Sequence, residues 1–194
     1  MNFELLHPAD QLVMIMARIY QYGMTTTSGG NLSIKDENGD IWITPSGIDK
    51  GTLTRADIMQ VKPDGTVIGP HTPSVELPIH RDIYKIRPDL HAIVHAHPPV
   101  LVAFSLVRRV PDVTLIPNAA LVCGKVALAK YGVPGSEQLG KNIAEKFAEG
   151  YSTVLMENHG VVCGAQDLYR AFMAFETLES SAKIELDALK LGQP

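Results

Sequence analysis

Apolar residues recur along this chain at two spacings, and the switches between them lay out its elements. From Pro8 to Tyr22 the spacing is helical: Leu12, Ile15, Met16, Ile19 and Tyr20 share a face, Pro8 suits a first turn and Gly23 a stop. Leu32–Lys35 and Ile41–Thr44 then alternate as two strands joined at Asn38-Gly39, which supplies the positive φ of a hairpin turn. Thr54 can cap a short helix through Met59, and Pro63-Asp64-Gly65 turns the chain into a strand at Thr66–Ile68. Thr72-Pro73-Ser74-Val75-Glu76 opens a helix to about Ile86 that Arg87-Pro88 closes. A strand carrying His91, His95 and His97 ends at Pro98-Pro99, and Val100–Val107 reads as an apolar helix.

The second half continues the alternation. Val113–Ile116 reads as a strand, whereas Ala119–Lys130 is compatible with helix, strand or loop. Ser136 caps a helix to about Glu149 with Leu139, Ile143 and Phe147 on one stripe. Thr153–Met156 and Val161–Cys163 are short strands hinged at Asn158-His159-Gly160. Asp167 caps a last long helix whose seam is Leu168, Phe172, Phe175, Leu178, Ala182, Leu186 and Leu189. Strands alternating with helices predict an α/β or α+β sandwich, a central sheet covered by helices, in one domain spanning residues 1–194.

Composition narrows the function. With 17 Lys and Arg against 21 Asp and Glu, the net charge of -4 gives no reason to expect nucleic acid or an anionic membrane as partner. No segment approaches the ~18 apolar residues of a membrane span, and no basic start precedes an apolar run. Cys123 and Cys163 stand apart, which fits inert core thiols in a reduced, cytoplasmic protein.

The candidate chemistry gathers on histidines. Successive side chains on a strand point to opposite faces, so His95 and His97 share one. Both can reach a single cation, the loop residue His159 can add a third nitrogen, and Glu76 a carboxylate nearby. Three histidines leave a coordination position open, as a catalytic Zn2+ or similar ion requires. The plainer account makes His95 and His97 hydrogen-bonded core residues, His159 a turn residue and Glu76 a first-turn acid facing the helix dipole. A zinc hydrolase with a Glu base is a competing enzyme reading. A cupin-like barrel is disfavoured, because Pro98-Pro99 follows where that fold expects a Glu and helices intervene. Gly29-Gly30-Asn31, Thr44-Pro45-Ser46-Gly47 and Ser74 offer glycines, hydroxyls and free N–H groups suited to an anion, or serve as ordinary turns and a plain N-cap. His7, His71, His80 and His91 receive no role.

Taken together, Gly30-Asn31-Leu32-Ser33, Ile43-Thr44-Pro45-Ser46-Gly47, Ser74-Val75-Glu76, His95-Ala96-His97 and Asn158-His159-Gly160 resemble the class II aldolase/adducin family, and within it the L-fuculose-1-phosphate aldolases. The motifs stand in family order and span nearly the whole chain. The resemblance implies a three-layer αβα sandwich with a largely antiparallel central sheet. It implies Zn2+, or another divalent ion, on His95, His97 and His159, with Glu76 as acid/base. It implies a phosphate pocket of Gly30, Asn31, Ser46, Gly47 and Ser74, and a cyclic homotetramer with active sites at subunit interfaces. The implied reaction cleaves a ketose 1-phosphate to dihydroxyacetone phosphate and an aldehyde through a metal-stabilised enediolate. Burial near the ion would raise the Glu76 pKa for proton transfer. With no basic cluster in the sequence, neutral donors are expected to hold the phosphate.

The same resemblance implies alternatives. Related 4-epimerases carry aspartate at the Glu76 position, so the glutamate points to the aldolase; family decarboxylases and a dehydratase share the metal and the glutamate. An adducin-like module without catalysis is the reading of another class, against which the retained histidines and Glu76 stand. Three positions depart from the aldolase pattern. Val75 stands where a second serine is expected, Leu115 where a tyrosine proton donor is expected, and the chain ends at Pro194, short of a tyrosine-bearing tail that some members use.

Overall fold

The first amphipathic segment folds as helix α1 (Pro8–Gln21) in the computed structural model of the protein, which describes residues 3–192. His7 Nδ1 accepts the Ala9 N–H at its start, Pro8 occupies the first turn, and Leu12, Ile15, Met16 and Ile19 are buried. Tyr20 falls outside that buried face; its ring occupies the space that a Cβ on Gly51 would need. Asn38-Gly39 makes the expected turn, with Gly39 at φ +82°, between β1 (Asn31–Lys35) and β2 (Ile41–Ile43).

Six further strands complete one mixed sheet: β3 (Met59–Val61), β4 (Val67–Ile68), β5 (Ala92–Ala96), β6 (Val126–Ala129), β7 (Thr153–Met156) and β8 (Val161–Ala165). Their order is β4-β3-β2-β1-β5-β8-β7-β6, and every neighbouring pair is antiparallel except β6 with β7. The other helices are α2 (Leu77–Ile86), α3 (Pro99–Leu106), α4 (Pro117–Cys123), α5 (Glu137–Ala148) and α6 (Leu168–Leu191).

The alternation of β5 sorts the core. Ala92, Val94 and Ala96 enter a hydrophobic cluster with α1, α3, α4 and α6, while Ile93 enters a second cluster with α2 and α5. His95 points to the α2 side, as Ile93 does, and this parity delivers its ring to the site. On α6 the predicted seam is buried from Leu168 to Ala182, Leu186 is half-buried and Leu189 exposed. Glu179 of the same helix accepts the N–H groups of Val100 (3.1 Å) and Leu101 (2.9 Å), satisfying donors that the start of α3 leaves open after Pro98-Pro99.

Local chemistry redirects two expected elements. Val113–Leu115 is a 3-10 turn, because the Asp112 carboxylate accepts both the N–H and the hydroxyl of Thr114 and bends the run out of extended geometry. The short helix expected through Met59 is a 3-10 turn at Arg55–Asp57; Ile58 is extended and Met59 already pairs with Ile43. The ambiguous Ala119–Lys130 stretch divides at Gly124, with α4 before it and β6 after it.

Candidate metal centre

Strand pairing assembles the site. Asn31 on β1 stands opposite His95 on β5, and the antiparallel β7–β8 hairpin carries His159 back over the end of β5. Two glycines permit the approach. A Cβ on Gly30, at φ +72°, would lie 2.7 Å from the His95 carbonyl oxygen, and one on Gly160 would overlap the Ala96 carbonyl oxygen and lie 2.9 Å from His97 Cδ2. Asn158 holds the turn in the left-handed region at φ +59°, a conformation uncommon outside glycine that sets His159 inward.

The three imidazoles converge. Ring centroids lie 4.8 Å apart for His95 and His97, 5.0 Å for His95 and His159, and 4.9 Å for His97 and His159. One nitrogen from each lies within 4.8 Å of the others. His95 Nδ1 donates to the Val161 carbonyl at 2.9 Å, which turns Nε2 toward the cluster. That buried nitrogen has no hydrogen-bond partner, nor has His159 Nδ1. The one charged neighbour of His95 Nε2 among the described residues is a Glu76 oxygen at 3.2 Å. Two buried nitrogens without partners fit a cation, and a donor set of three imidazoles suits a divalent ion. Burial, and then the neighbouring imidazoles, push the His97 pKa down to about 3; burial foremost takes His159 to about 4. Both rings are therefore neutral at pH 7.

Glu76 is the N-cap residue of α2, yet its carboxylate does not cap the helix. It is buried and turned to the imidazoles, where Asn31 Nδ2 donates to it at 2.7 Å. Burial pushes its pKa up, as expected, but the electrostatic influence of His95, the hydrogen bond from the Asn31 amide, and the influence of His159 and His80 together outweigh burial and hold it at about 2. The structure thus corrects the expectation of a raised value: Glu76 is a carboxylate in the resting site.

Gly30, Asn31, Ser46, Gly47, Ser74, Glu76, His97 and His159 line one cavity of 170 Å3, with His95 set behind it. The two anion-suited loops are laced together: Ser46 N–H donates to Thr72 O, Ser74 N–H to Thr44 O, and Ser74 Oγ accepts the Glu76 N–H at 3.3 Å. A larger cavity of 540 Å3, lined by Leu121, Gly124, Gly164 and Arg170 among others, includes none of these residues. Leu115 is 44% exposed and supplies no proton donor.

Two side chains that the sequence reading left out belong to this region. His80 is fully buried on α2; its Nε2 donates to Asn31 Oδ1 at 2.6 Å while Nδ1 and the Ser33 hydroxyl lie 2.6 Å apart. Since the Asn31 amide nitrogen donates to Glu76, its oxygen must accept, which fixes His80 as the Nε2–H tautomer. Ser33 Oγ meets the Tyr84 hydroxyl at 2.7 Å, so a chain of hydrogen bonds runs from α2 to Glu76. The i, i+4 spacing of Glu76, His80 and Tyr84 was the available signal. Lys50 is the other: it lines the cavity and has no counterpart in a scheme of neutral donors alone.

An acid-stability prediction follows from the neutral rings. Their unfolded values stand near 6.5, whereas burial takes His80 and His97 to about 3 and His159 to about 4. Between about 4 and 6.5 the unfolded chain binds protons that the fold excludes, so this contribution is complete above 6.5 and is lost as pH falls through the window. The lowered Glu76 value adds a loss of the same sign below 4.5. The Tm of metal-free protein should fall from pH 7.5 to pH 5; an equal or higher Tm at pH 5 would contradict the neutral assignment.

Three converged imidazoles and a carboxylate beside a polar cavity, on one mixed α/β sheet, form a group that could hold a metal ion. The chain belongs to the family described as Class II Aldolase and Adducin N-terminal domain, whose profile matches residues 10–186. Class II aldolases are lyases that use a divalent metal. The protein is 34% identical over 175 residues to the L-fuculose phosphate aldolase of Methanococcus maripaludis, covering 90% of this chain and 93% of that one. It is also 34% identical over 178 residues to the 3-oxo-tetronate 4-phosphate decarboxylase of Pectobacterium atrosepticum, covering 90% and 81%. Among solved structures, an L-fuculose 1-phosphate aldolase superposes with a TM-score of 0.86 at 34% identity, covering 96% of this chain and 88% of the other. No described helix is long and apolar enough to cross a membrane.

Proposed function

We propose that the protein is a metal-dependent aldolase that cleaves a ketose 1-phosphate of the L-fuculose-1-phosphate type to dihydroxyacetone phosphate and an aldehyde. His95, His97 and His159 hold the ion, Zn2+ in the first instance, and Glu76 is the catalytic acid/base. Gly30, Asn31, Ser46, Gly47 and Ser74 receive the phosphate. The observation that carries the reading is the Glu76 carboxylate held by Asn31 at 2.7 Å within 3.2 Å of His95 Nε2, on the wall of the cavity that the anion-suited loops complete. On this reading the helices on the two faces of the sheet form the three-layer αβα sandwich of a single domain. It works as a cytoplasmic homotetramer.

When bound, a divalent ion supplies Lewis-acid stabilisation of negative charge developing on substrate oxygen. The chain's own residues supply the rest. Gly47, at φ +68° with open space beside its Cα, lets backbone N–H groups face the phosphate without a side chain intervening. Asn31 pins the Glu76 carboxylate, so the base keeps one position throughout. Glu76 takes the hydroxyl proton of the departing carbon; the carbon–carbon bond breaks, its electrons remain on the three-carbon fragment, and Glu76 returns the proton to that carbon. One carboxylate balances this transfer, which suits a site with Leu115 where a tyrosine would stand.

The direct assay incubates metal-loaded protein with L-fuculose 1-phosphate and couples released dihydroxyacetone phosphate to NADH oxidation. Release of dihydroxyacetone phosphate is expected; no release, with turnover of a 3-oxo-acid phosphate, would move the protein to the decarboxylases. That second reading draws on the relative named as a decarboxylase and on Val75, whose exposed side chain replaces a hydroxyl at the rim of the cavity. A 4-epimerase fits less well with glutamate at position 76, and an adducin-like module leaves the converged imidazoles without a purpose.

A further inference from the structure

Lys50 is among the largest fully buried side chains of the protein, at 1% exposure, and it is the only lysine among the described residues so enclosed. Burying an ammonium is unfavourable unless an anion compensates it. Its Nζ donates to the Pro45 carbonyl at 2.6 Å and the Ile48 carbonyl at 3.3 Å, which leaves one of its three donors over. No carboxylate oxygen pairs with it among the described residues. The adjacent Asp49 turns away to the Gly51 N–H at 2.9 Å and the Thr52 hydroxyl. The Lys50 N–H donates to Thr27 O at 2.7 Å, which ties the lysine to the segment leading into Gly29 and Gly30. Lys50, near the Asp49 carboxylate but in no ion pair among the described residues, is one of the residues that line the cavity shared by Ser46, Gly47 and Ser74.

We infer that Lys50 is a specificity-determining residue: its fixed positive charge, held beneath the 45–50 loop, selects ligands that bring a doubly charged phosphate monoester into that cavity and disfavours uncharged ones. The inference rests on the reading of the cavity as a phosphate site. It departs from a pocket of neutral donors alone, because there the discrimination would come from hydrogen-bond geometry and would be insensitive to removal of one charge. Here the missing counter-ion is the ligand. The two carbonyl contacts hold the loop and aim the charge, and the charge itself makes the selection.

The test uses metal-loaded wild type, Lys50→Gln and Lys50→Met, with inorganic phosphate, dihydroxyacetone phosphate and dihydroxyacetone as probes. Gln retains an N–H donor for the loop carbonyls without the charge, and Met retains only the length. Both variants should bind the two phosphate-bearing probes roughly 10- to 100-fold more weakly, as expected for one partly buried charge, with dihydroxyacetone binding and metal content unchanged. Wild-type affinity for phosphate in Lys50→Gln would reduce the lysine to a loop staple and overturn the inference. If the variants do not fold, the 15N signal of the Lys50 ammonium in wild type carries the test. It should shift on saturation with phosphate and not with dihydroxyacetone, and a signal unmoved by bound phosphate would overturn the inference. A wild type that binds metal and turns over an unphosphorylated sugar without binding phosphate would instead overturn the phosphate reading itself, and the inference with it.

Discussion

Glu76→Gln is expected to retain its metal at wild-type stoichiometry and to lose about 10²- to 10⁴-fold in kcat, the range that general acid–base groups contribute. Gln is nearly isosteric, and its amide oxygen can still accept from Asn31 Nδ2, so the 2.7 Å contact that positions the side chain survives. The three imidazoles are untouched. What disappears is the ability to carry a proton between oxygen and carbon. KM should change little, since the phosphate contacts come from other loops. Steady-state kinetics with metal analysis checks this, and turnover within a few-fold of wild type would assign the proton transfer to another group.

Gly160→Ala is expected to weaken metal retention about 10- to 100-fold and to destabilise the protein by about 1–3 kcal/mol, although residue 160 is not a ligand. The added methyl would overlap the Ala96 carbonyl oxygen and press on the His97 ring at 2.9 Å. Neither neighbour yields easily. Ala96 pairs with Val161 in the centre of the sheet, and the Gly160 carbonyl accepts the Met156 N–H at 2.7 Å across the turn. The turn or the strand end must therefore move, and His97 and His159 separate. Metal content after dialysis and thermal unfolding together check this; wild-type metal affinity in a destabilised variant would show that the spacing of these rings is not set by the close approach at Gly160.

Much of this arrangement was legible in the residues. The parity of His95 and His97 on one strand and the Gly-bounded turn at His159 pointed to a common cation. The Asn-Gly hairpin, the α1 face and most of the α6 seam followed from spacing alone. What escaped reading depended on partners distant in sequence. Val113–Ile116 carries a β-like pattern, but Asp112 captures Thr114 locally and makes a turn. The sheet order and the parallel pairing of β6 with β7 are set by which helices cover which face, and no local pattern encodes that choice. His80 gained its place only when α2 packed against β1, bringing it 49 residues back to Asn31. The pKa of Glu76 depends on the imidazoles and the amide that the fold brings around the carboxylate, and local sequence shows only that it can be buried. Lys50 reads as an ordinary loop lysine until the fold encloses it.

The most direct measurement locates the cation itself: anomalous diffraction at the zinc edge from crystals of metal-loaded protein. One fully occupied peak is expected, bonded to His95 Nε2 and to one nitrogen each of His97 and His159, with Glu76 beside it. A peak elsewhere, or none at a concentration that saturates activity, would contradict this placement.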